Sequence, residues 1–406
     1  MGAVLVTAPI TQRPEMSTTQ PTRGSRPPLW RDLRVIRVVI QVLAIAVVSV
    51  IAYVLWFNLT NNMKRAGLST NFDFLTQPLG VDIAGSDLSS GAPIWQGLLV
   101  GIKNTFALVI VGIPLLTVLG VLVGVGRLST NWLVAKSSSI FVEVLRNLPP
   151  LLIIFLIFNA VILRLPLLQD SWEILDLIII NNRFTAVVSF TAQPGFGVFW
   201  LIMGVAVLIA IWVWLWRTRR FERTGKRHHR WRWSMGLLLG TAVIAFWVLD
   251  GPIGLSFPTL DGRALEGGYV GLASYFAVLA ALVLYTSSHV AEIVRGSIQA
   301  VPRGQTEAAD SLALSPFQRL RYVVLPQATR IAIPPIISQY LNFTKNTSLA
   351  IAIGYAEITR ITFQTIGNGQ PEPQLIAILM ASYLVFSLTI SLVVNVLNRR
   401  LQYVTT

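Results

Sequence analysis

The feature that most constrains this chain is its series of long stretches almost free of charge. About 20 helical residues cross about 30 Å of hydrocarbon. Eight stretches reach or approach that length: 38–58, 104–126, 140–163, 198–216, 234–249, 270–294, 331–354 and 374–397. The fifth is short, and the third and seventh contain polar residues and prolines. The chain is 54% hydrophobic and 12% charged, with mean hydropathy +0.65, where a soluble domain carries about 25% charged residues. These features predict an all-α, polytopic membrane protein with about eight transmembrane helices.

Charge sets the orientation. Six Arg occupy the N-terminal tail (Arg13 to Arg37), eight Lys/Arg lie in 217–232 and five Arg in 295–330. With an even number of spans these fall on one side, together with Arg127, Lys136, Arg399 and Arg400. The positive-inside rule makes that side the cytoplasm and puts both termini there. The net charge of +14 is therefore spread between apolar runs, which argues against a nucleic-acid partner. The basic segment 217–232 is a topology determinant that can also touch anionic lipid.

The chain has no cysteine and three histidines. Disulfides and thiolate chemistry are excluded, and three histidines argue against a His-rich metal site. Residues 1–37 read as a cytoplasmic tail without the apolar core of a secretory signal. Stretch 38–58 is a plain anchor helix. Segment 164–269 reads as an insertion: an irregular outer loop, then two Trp-rich helices around the basic hairpin. The informative chemistry lies in 96–163 and 270–400.

In the loop 300–326, Pro302 and Gly304 break the preceding helix, and Thr306 is placed to cap a short helix carrying Glu307, Ala308 and Ala309. Ala308, Leu312 and Leu320 give it an apolar face. On spacing alone this is either a docking surface or an amphipathic connector on the membrane. The order of residues adds more: E-A-A at Glu307–Ala309, a small residue at Ala313, then Leu325 and Pro326 before the next span. It resembles the EAA loop of ABC importer permeases, with Ala313 where that family usually has Gly.

Four other stretches resemble the polar amino-acid permeases of that family. They are GIKNTFALVI (101–110), FVEVLRNLPPLLIIFLIF (141–158), HVAEIVRGSIQAVP (289–302) and LNFTKNTSLAIAIGYAEI (341–358). The resemblance covers 96–163 and 270–400 as two parts of a permease core. It implies a bacterial inner-membrane importer subunit whose loop docks into a cytoplasmic ABC ATPase dimer. It also implies a second permease subunit (paralogue or self), an extracytoplasmic solute-binding protein, and alternating access. ATP and Mg would be held by the ATPase partner, with no cofactor and no metal on this chain.

The residues can also be read on their own chemistry. Glu143/Arg146 and Glu292/Arg295 are E-x-x-R pairs at i,i+3, so each can meet on one helix face. They are either interfacial ion pairs that snorkel to water or a gate. Lys345 falls inside a span, where a lysine costs roughly 2.5–3.5 kcal/mol and must face a polar cavity or a partner. With Asn346, Thr347 and Ser348 it could cradle an α-carboxylate; the alternative is pairing with an acid elsewhere. Pro334-Pro335 would interrupt that helix near the midplane. Asn147, beside Arg146, is counted with them on the substrate pathway. Gly120, Gly124 and Gly126 form a small-residue packing face.

No G-x-x-x-x-G-K-[ST] motif occurs; the single Gly-Lys, Gly225-Lys226, precedes Arg227. Lacking a phosphate cradle, the chain is expected not to be an ATPase itself. A rival reading, an ion-gradient-driven secondary transporter, would need buried acids in the spans, and only Glu143 and Glu292 offer themselves.

Overall fold

The computed structural model describes residues 33–65, 67, 71–224, 229–261 and 264–402. Most of the N-terminal tail and residues 225–228 of the basic hairpin lie outside the described residues. The chain divides into two compact units, 1–70 and 71–406. The first contains one helix, α1 (Leu33–Arg65), longer at both ends than the expected anchor and apolar around its circumference.

The second unit contains α2 (Ile94–Gly126), α3 (Trp132–Asn147), α4 (Pro150–Leu156), α5 (Phe196–Thr224), α6 (Arg230–Val248), α7 (Ala273–Gln299), α8 (Arg303–Ser311), α9 (Pro316–Arg319), α10 (Leu325–Asn346), α11 (Ile358–Gly367) and α12 (Glu372–Gln402). Among the described residues, six helices (α1, α2, α5, α6, α7 and α12) are long and apolar enough to cross a bilayer. The third expected span is not one straight helix: α3 and the helical stretch from Pro150 to Arg164 meet at 108°. Pro149 and Pro150 cause the break, because a residue before proline is pushed out of the helical region, and Leu148 is extended at ψ 137. The seventh corresponds to α10, whose 22 residues span about 33 Å at 1.5 Å per residue but include many polar side chains. The eight-span count is compatible with this arrangement.

Two expectations about irregular backbone are corrected. Pro334 and Pro335 do not interrupt α10, which continues to Asn346. The interruption comes later, as a 3-10 stretch from Thr347 to Ile353 that ends at Gly354 in the left-handed region. The outer loop of the insertion is not irregular. It forms β1 (Trp172–Ile174), β2 (Ile178–Ile180), β3 (Phe184–Val187) and β4 (Ser189–Ala192); β5 (Ile253–Ser256), β6 (Thr259–Asp261), β7 (Ala264–Glu266) and β8 (Tyr269–Leu272) follow α6. A four-stranded antiparallel sheet runs β1-β2-β3-β8, and β4-β5 and β6-β7 are separate ladders. In the β3–β8 pairing Val187 lies opposite Tyr269, so the two ends of segment 188–268 leave the core side by side.

The core lies between α2, α4, α7 and α10. Leu108, Leu116, Ile154, Val278, Leu282, Val290 and Phe343 are buried there. α2 and α7 approach closely because a Cβ at Gly120 would lie 2.6 Å from Val290, and one at Gly124 2.6 Å from the Ala291 carbonyl oxygen. Gly126 faces Ser138 of α3 instead. Gly112 faces the ring of Phe343, which fills the place of a side chain there. A second cluster (Leu79, Ile94, Leu98, Ile358, Ile361, Leu375) joins the loop 71–93 to the first turns of α2, to α11 and to α12.

Candidate functional site: a docking loop, an arginine cluster and a polar seam

The loop after α7 is more ordered than its sequence implies. α8 starts at Arg303, not after Thr306, and the Thr306 hydroxyl donates to the Arg303 carbonyl oxygen at 2.7 Å instead of capping. Ala309 turns inward and is buried; Glu307 and Ala308 face out. At the far end the Ala313 N–H donates to Asp310 O (2.9 Å) and the Leu314 N–H to Ala309 O (3.2 Å). That pair of bonds is the Schellman closure, which requires a left-handed residue and favours glycine. Ala313 occupies it at φ 53. The closure is thus made with alanine in a region that disfavours a Cβ.

Ser315 and Gln318 form a reciprocal capping box at the start of α9. Arg319 donates from Nη1 to both Asp310 oxygens, at 2.7 and 2.8 Å, bracing α9 against α8. Leu312 is 75% exposed and Phe317 68%, so the loop presents two large apolar side chains beside Glu307. Leu325 and Pro326 form the first turn of α10, both exposed.

At the same end of the helices, one carboxylate gathers three guanidiniums. Glu292 contacts Arg127 and Arg295 directly, and Arg146 Nη1 stands 3.8 Å from its Oε2. The Glu292/Arg295 pair meets as its spacing allows. Glu143 and Arg146 do not: Arg146 turns across to Glu292, and among the described residues no cation lies within ion-pairing distance of Glu143. The Glu292 carboxylate on α7 draws Arg146 in preference to Glu143 on its own helix, a competition that local spacing cannot reveal. A cavity of about 370 Å³ opens beside the cluster, lined by Arg127, Glu143, Arg146, Asn147, His289 and Glu292.

His289 also lines a second cavity, of about 250 Å³, with Tyr285 and Thr286 of α7 and with Gln339, Asn342 and Asn346 of α10. Spacings of three and four put the last three on one helix face. His289 borders both cavities, which together make a polar seam; its Nδ1 lies 3.1 Å from the Tyr285 carbonyl oxygen. Thr286 is buried, and its hydroxyl has no hydrogen-bond partner.

The expected cradle at Lys345–Ser348 is not assembled. Only Asn346 lines the seam. Lys345 is exposed. Thr347 is buried on the opposite side, bonded to Thr344 O (2.7 Å) and sharing a 3.5 Å contact with the Tyr383 hydroxyl. The Ser348 hydroxyl donates back to Lys345 O at 2.8 Å. Consecutive helical residues point about 100° apart, so four in a row cannot converge on one ligand.

The segment after the 3-10 stretch is gripped by α2 through the residues of its K-N-T run. Asn104 Nδ2 donates to Ala356 O at 2.7 Å, and the Thr105 hydroxyl oxygen accepts from the Ile358 N–H at 3.2 Å. A Cβ at Gly101 would lie 2.8 Å from the Ile358 Cα. Next to this grip, Glu357 caps α11: its carboxylate accepts from the Thr359 and Arg360 N–H groups, both at 2.8 Å, and from the Tyr383 hydroxyl at 3.1 Å. Glu357 lies outside the membrane-spanning helices and is fully buried. Burial pushes its carboxyl up to about 7, against the downward pull of those hydrogen bonds. Sequence reasoning gave Glu357, Tyr383, Gln339 and Asn342 no role, although three carboxamides at i, i+3 and i+7 in one span were a readable signal.

Residues 239–403 match the family model "Binding-protein-dependent transport system inner membrane component". YhdX of Escherichia coli strain K12 is 37% identical over 89% of this chain and 93% of its own length. The general L-amino acid transport system permease protein AapQ of Rhizobium johnstonii is 36% identical over 89% of this chain and 91% of its length. The glutamate/glutamine/aspartate/asparagine transport system permease protein BztB of Rhodobacter capsulatus is 34% identical over 91% and 95%. Among solved structures, a crystal structure of an amino acid ABC transporter with histidines aligns at TM-score 0.44 and 19% identity, over 75% of this chain and 94% of that one. The identification rests on the sequence relatives, which match nearly end to end: the chain belongs to the amino-acid ABC transporter permeases, multi-pass subunits of the inner membrane.

Proposed function

We propose that this chain forms one half of a pathway carrying polar L-amino acids into the cytoplasm by alternating access. The observation that carries the proposal is the polar seam. Gln339, Asn342 and Asn346 face Thr286 and His289 across two helices, and the seam continues through His289 to the arginine cluster. Polar side chains are expensive in lipid and mark a substrate route when they line a cavity. A second permease, a copy or a paralogue, completes the pathway. Substrate arrives from an extracytoplasmic solute-binding protein.

The driving force comes from outside the chain. Without a phosphate-cradling loop the permease binds no nucleotide, and ATP and Mg²⁺ sit on a dimer of partner ATPases. Their cleft receives α8, with Glu307 and Ala308 at the contact and Leu312 and Phe317 as apolar anchors, while Ala309, Ala313, Leu325 and Pro326 shape the loop. Arg127, Arg146 and Arg295 around Glu292 form the cytoplasmic ion-pair cluster of the pathway, with Glu143 lining the cavity beside it and both termini on that side. Of the pathway set, Asn346 and Asn147 line the cavities; Lys345, Thr347 and Ser348 support the turn that follows.

The test is uptake into proteoliposomes holding the full complex. Asn342→Leu or Asn346→Leu is expected to lower uptake at least tenfold while ATP hydrolysis stimulated by loaded binding protein persists; unchanged uptake refutes the seam. Glu307→Lys is expected to insert normally and lose the stimulation, and retained stimulation refutes loop docking.

A further inference from the structure

We infer that the cavity beside Glu292 is an exit-side binding site for the α-carboxylate of the transported amino acid, with Arg146 as the residue that holds it. The inference rests on the transport reading above and adds a second station to the seam.

Arg127, Arg146 and Arg295 surround Glu292, and Glu143 is the other carboxylate lining the cavity. Three guanidiniums against two carboxylates leave one positive charge in excess. A guanidinium offers five N–H donors in a rigid fork suited to a carboxylate, and Glu292 cannot satisfy three such forks. Arg295 places Nη2 on Oε1 and Nε 3.3 Å from Oε2, and gives Nη1 to Gln299 at 2.7 Å. Arg127 occupies Oε2 as well, and its Nε is buried without an acceptor.

Arg146 is the one left over. It is farthest from Glu292, at 3.8 Å, and the most exposed of the three, at 42%. Its guanidinium borders the cavity with Asn147 beside it, so a charged fork and a carboxamide face the same space. The volume of about 370 Å³ is within the range of small-molecule sites. Continuity then selects the occupant. The cavity meets the polar seam at His289, so a zwitterion leaving the uncharged carboxamides of α10 next encounters a net positive site. Its carboxylate is the group such a site attracts.

The experiment uses the complete complex in liposomes, with L-glutamate, L-glutamine and L-lysine as separate probes. Arg146→Gln is expected to lower the maximal uptake rate about tenfold or more, most for L-glutamate and least for L-lysine. The external concentration giving half-maximal uptake stays fixed, because the binding protein sets it. ATP hydrolysis stimulated by loaded binding protein continues, so more ATP is consumed per molecule imported. Arg146→Lys keeps the charge and is expected to restore uptake to within about threefold of the parent. Uptake unchanged in Arg146→Gln overturns the inference. So does a joint fall of uptake and hydrolysis in both variants, which would make Arg146 a structural partner of Glu292. Uptake that follows the anionic-lipid content of the liposome, whatever the residue at 146, assigns the cavity to a lipid headgroup and also overturns it. If the parent complex hydrolyses ATP and imports none of the probes, the transport reading itself has failed.

Discussion

Gly112→Ala tests the packing that positions the seam. A Cβ at Gly112 would lie 2.1 Å from Phe343 Cζ and 2.7 Å from Cε1, the nearer more than 1 Å inside ordinary carbon–carbon contact of about 3.5 Å. Phe343 is fully buried among Leu108, Leu116, Val278 and Leu282, so the ring has no room to retreat. Overpacking of this kind costs about 1–3 kcal/mol, and a clash with a fully buried ring belongs at the upper end. At about 2 °C per kcal/mol for a chain of this size, the expected fall in Tm is about 4–6 °C in nanodiscs. Uptake should fall too, because Phe343 follows Asn342 directly and α10 must shift against α7. Phe343→Leu alone opens a small void and costs about 1–2 kcal/mol. In the double variant the leucine vacates the space the new methyl needs, so the two losses should fall short of their sum by about 1–2 kcal/mol. Strict additivity, or a Gly112→Ala protein melting within about 1 °C of the parent, would refute the contact.

Ala313→Gly is expected to leave coupling intact and to stabilise α8 by up to about 0.5 kcal/mol, since relief of the left-handed strain slightly exceeds the entropy of glycine; Ala313→Val should reduce stimulated ATP hydrolysis several-fold, and limited proteolysis of the loop reads both. Thr105→Val leaves the Ile358 N–H unpaired and should cost about 1–3 kcal/mol, seen as a lower Tm with rescue by Thr105→Ser. Glu357→Gln probes the raised carboxyl. Below the ordinary value of 4.5 the parent carries no ionisation penalty; stability is lost as pH rises through about 7, where the buried group finally ionises. The Tm of the variant relative to the parent should therefore climb between pH 5 and pH 7.5 and level off above, and a flat difference refutes the shift.

What could be read in advance depended on whether the relevant contact was local. The short helix in the loop 300–326 is legible because its residues are consecutive, and the Schellman closure involves only Ala313 and its neighbours. The break at Leu148 was written in Pro149-Pro150, yet hydropathy runs straight through it, because apolar content says nothing about direction. The Lys345–Ser348 run does not converge because adjacency in sequence is not adjacency in space; the helix brings together Gln339, Asn342 and Asn346 instead. Arg146 could not be assigned from its i,i+3 spacing, since its partner lies on α7, 146 residues along. The short strands of the insertion have three or four residues each, too few to establish an alternating pattern.

The pairing of β3 with β8 has a consequence for how such a chain can change. Directly opposed residues in an antiparallel ladder stand about 5 Å apart at Cα, so from Val187 and Tyr269 the excursion of 188–268 departs and returns through a single doorway. Whatever hangs on that doorway places no demand on the distance between α4 and α7. A short glycine linker there should close the path as well as two helices and four strands do. A fluorescent protein or an affinity handle joined at that doorway is expected to leave the seam in place, so length can be gained or lost there while α4 and α7 stay in register.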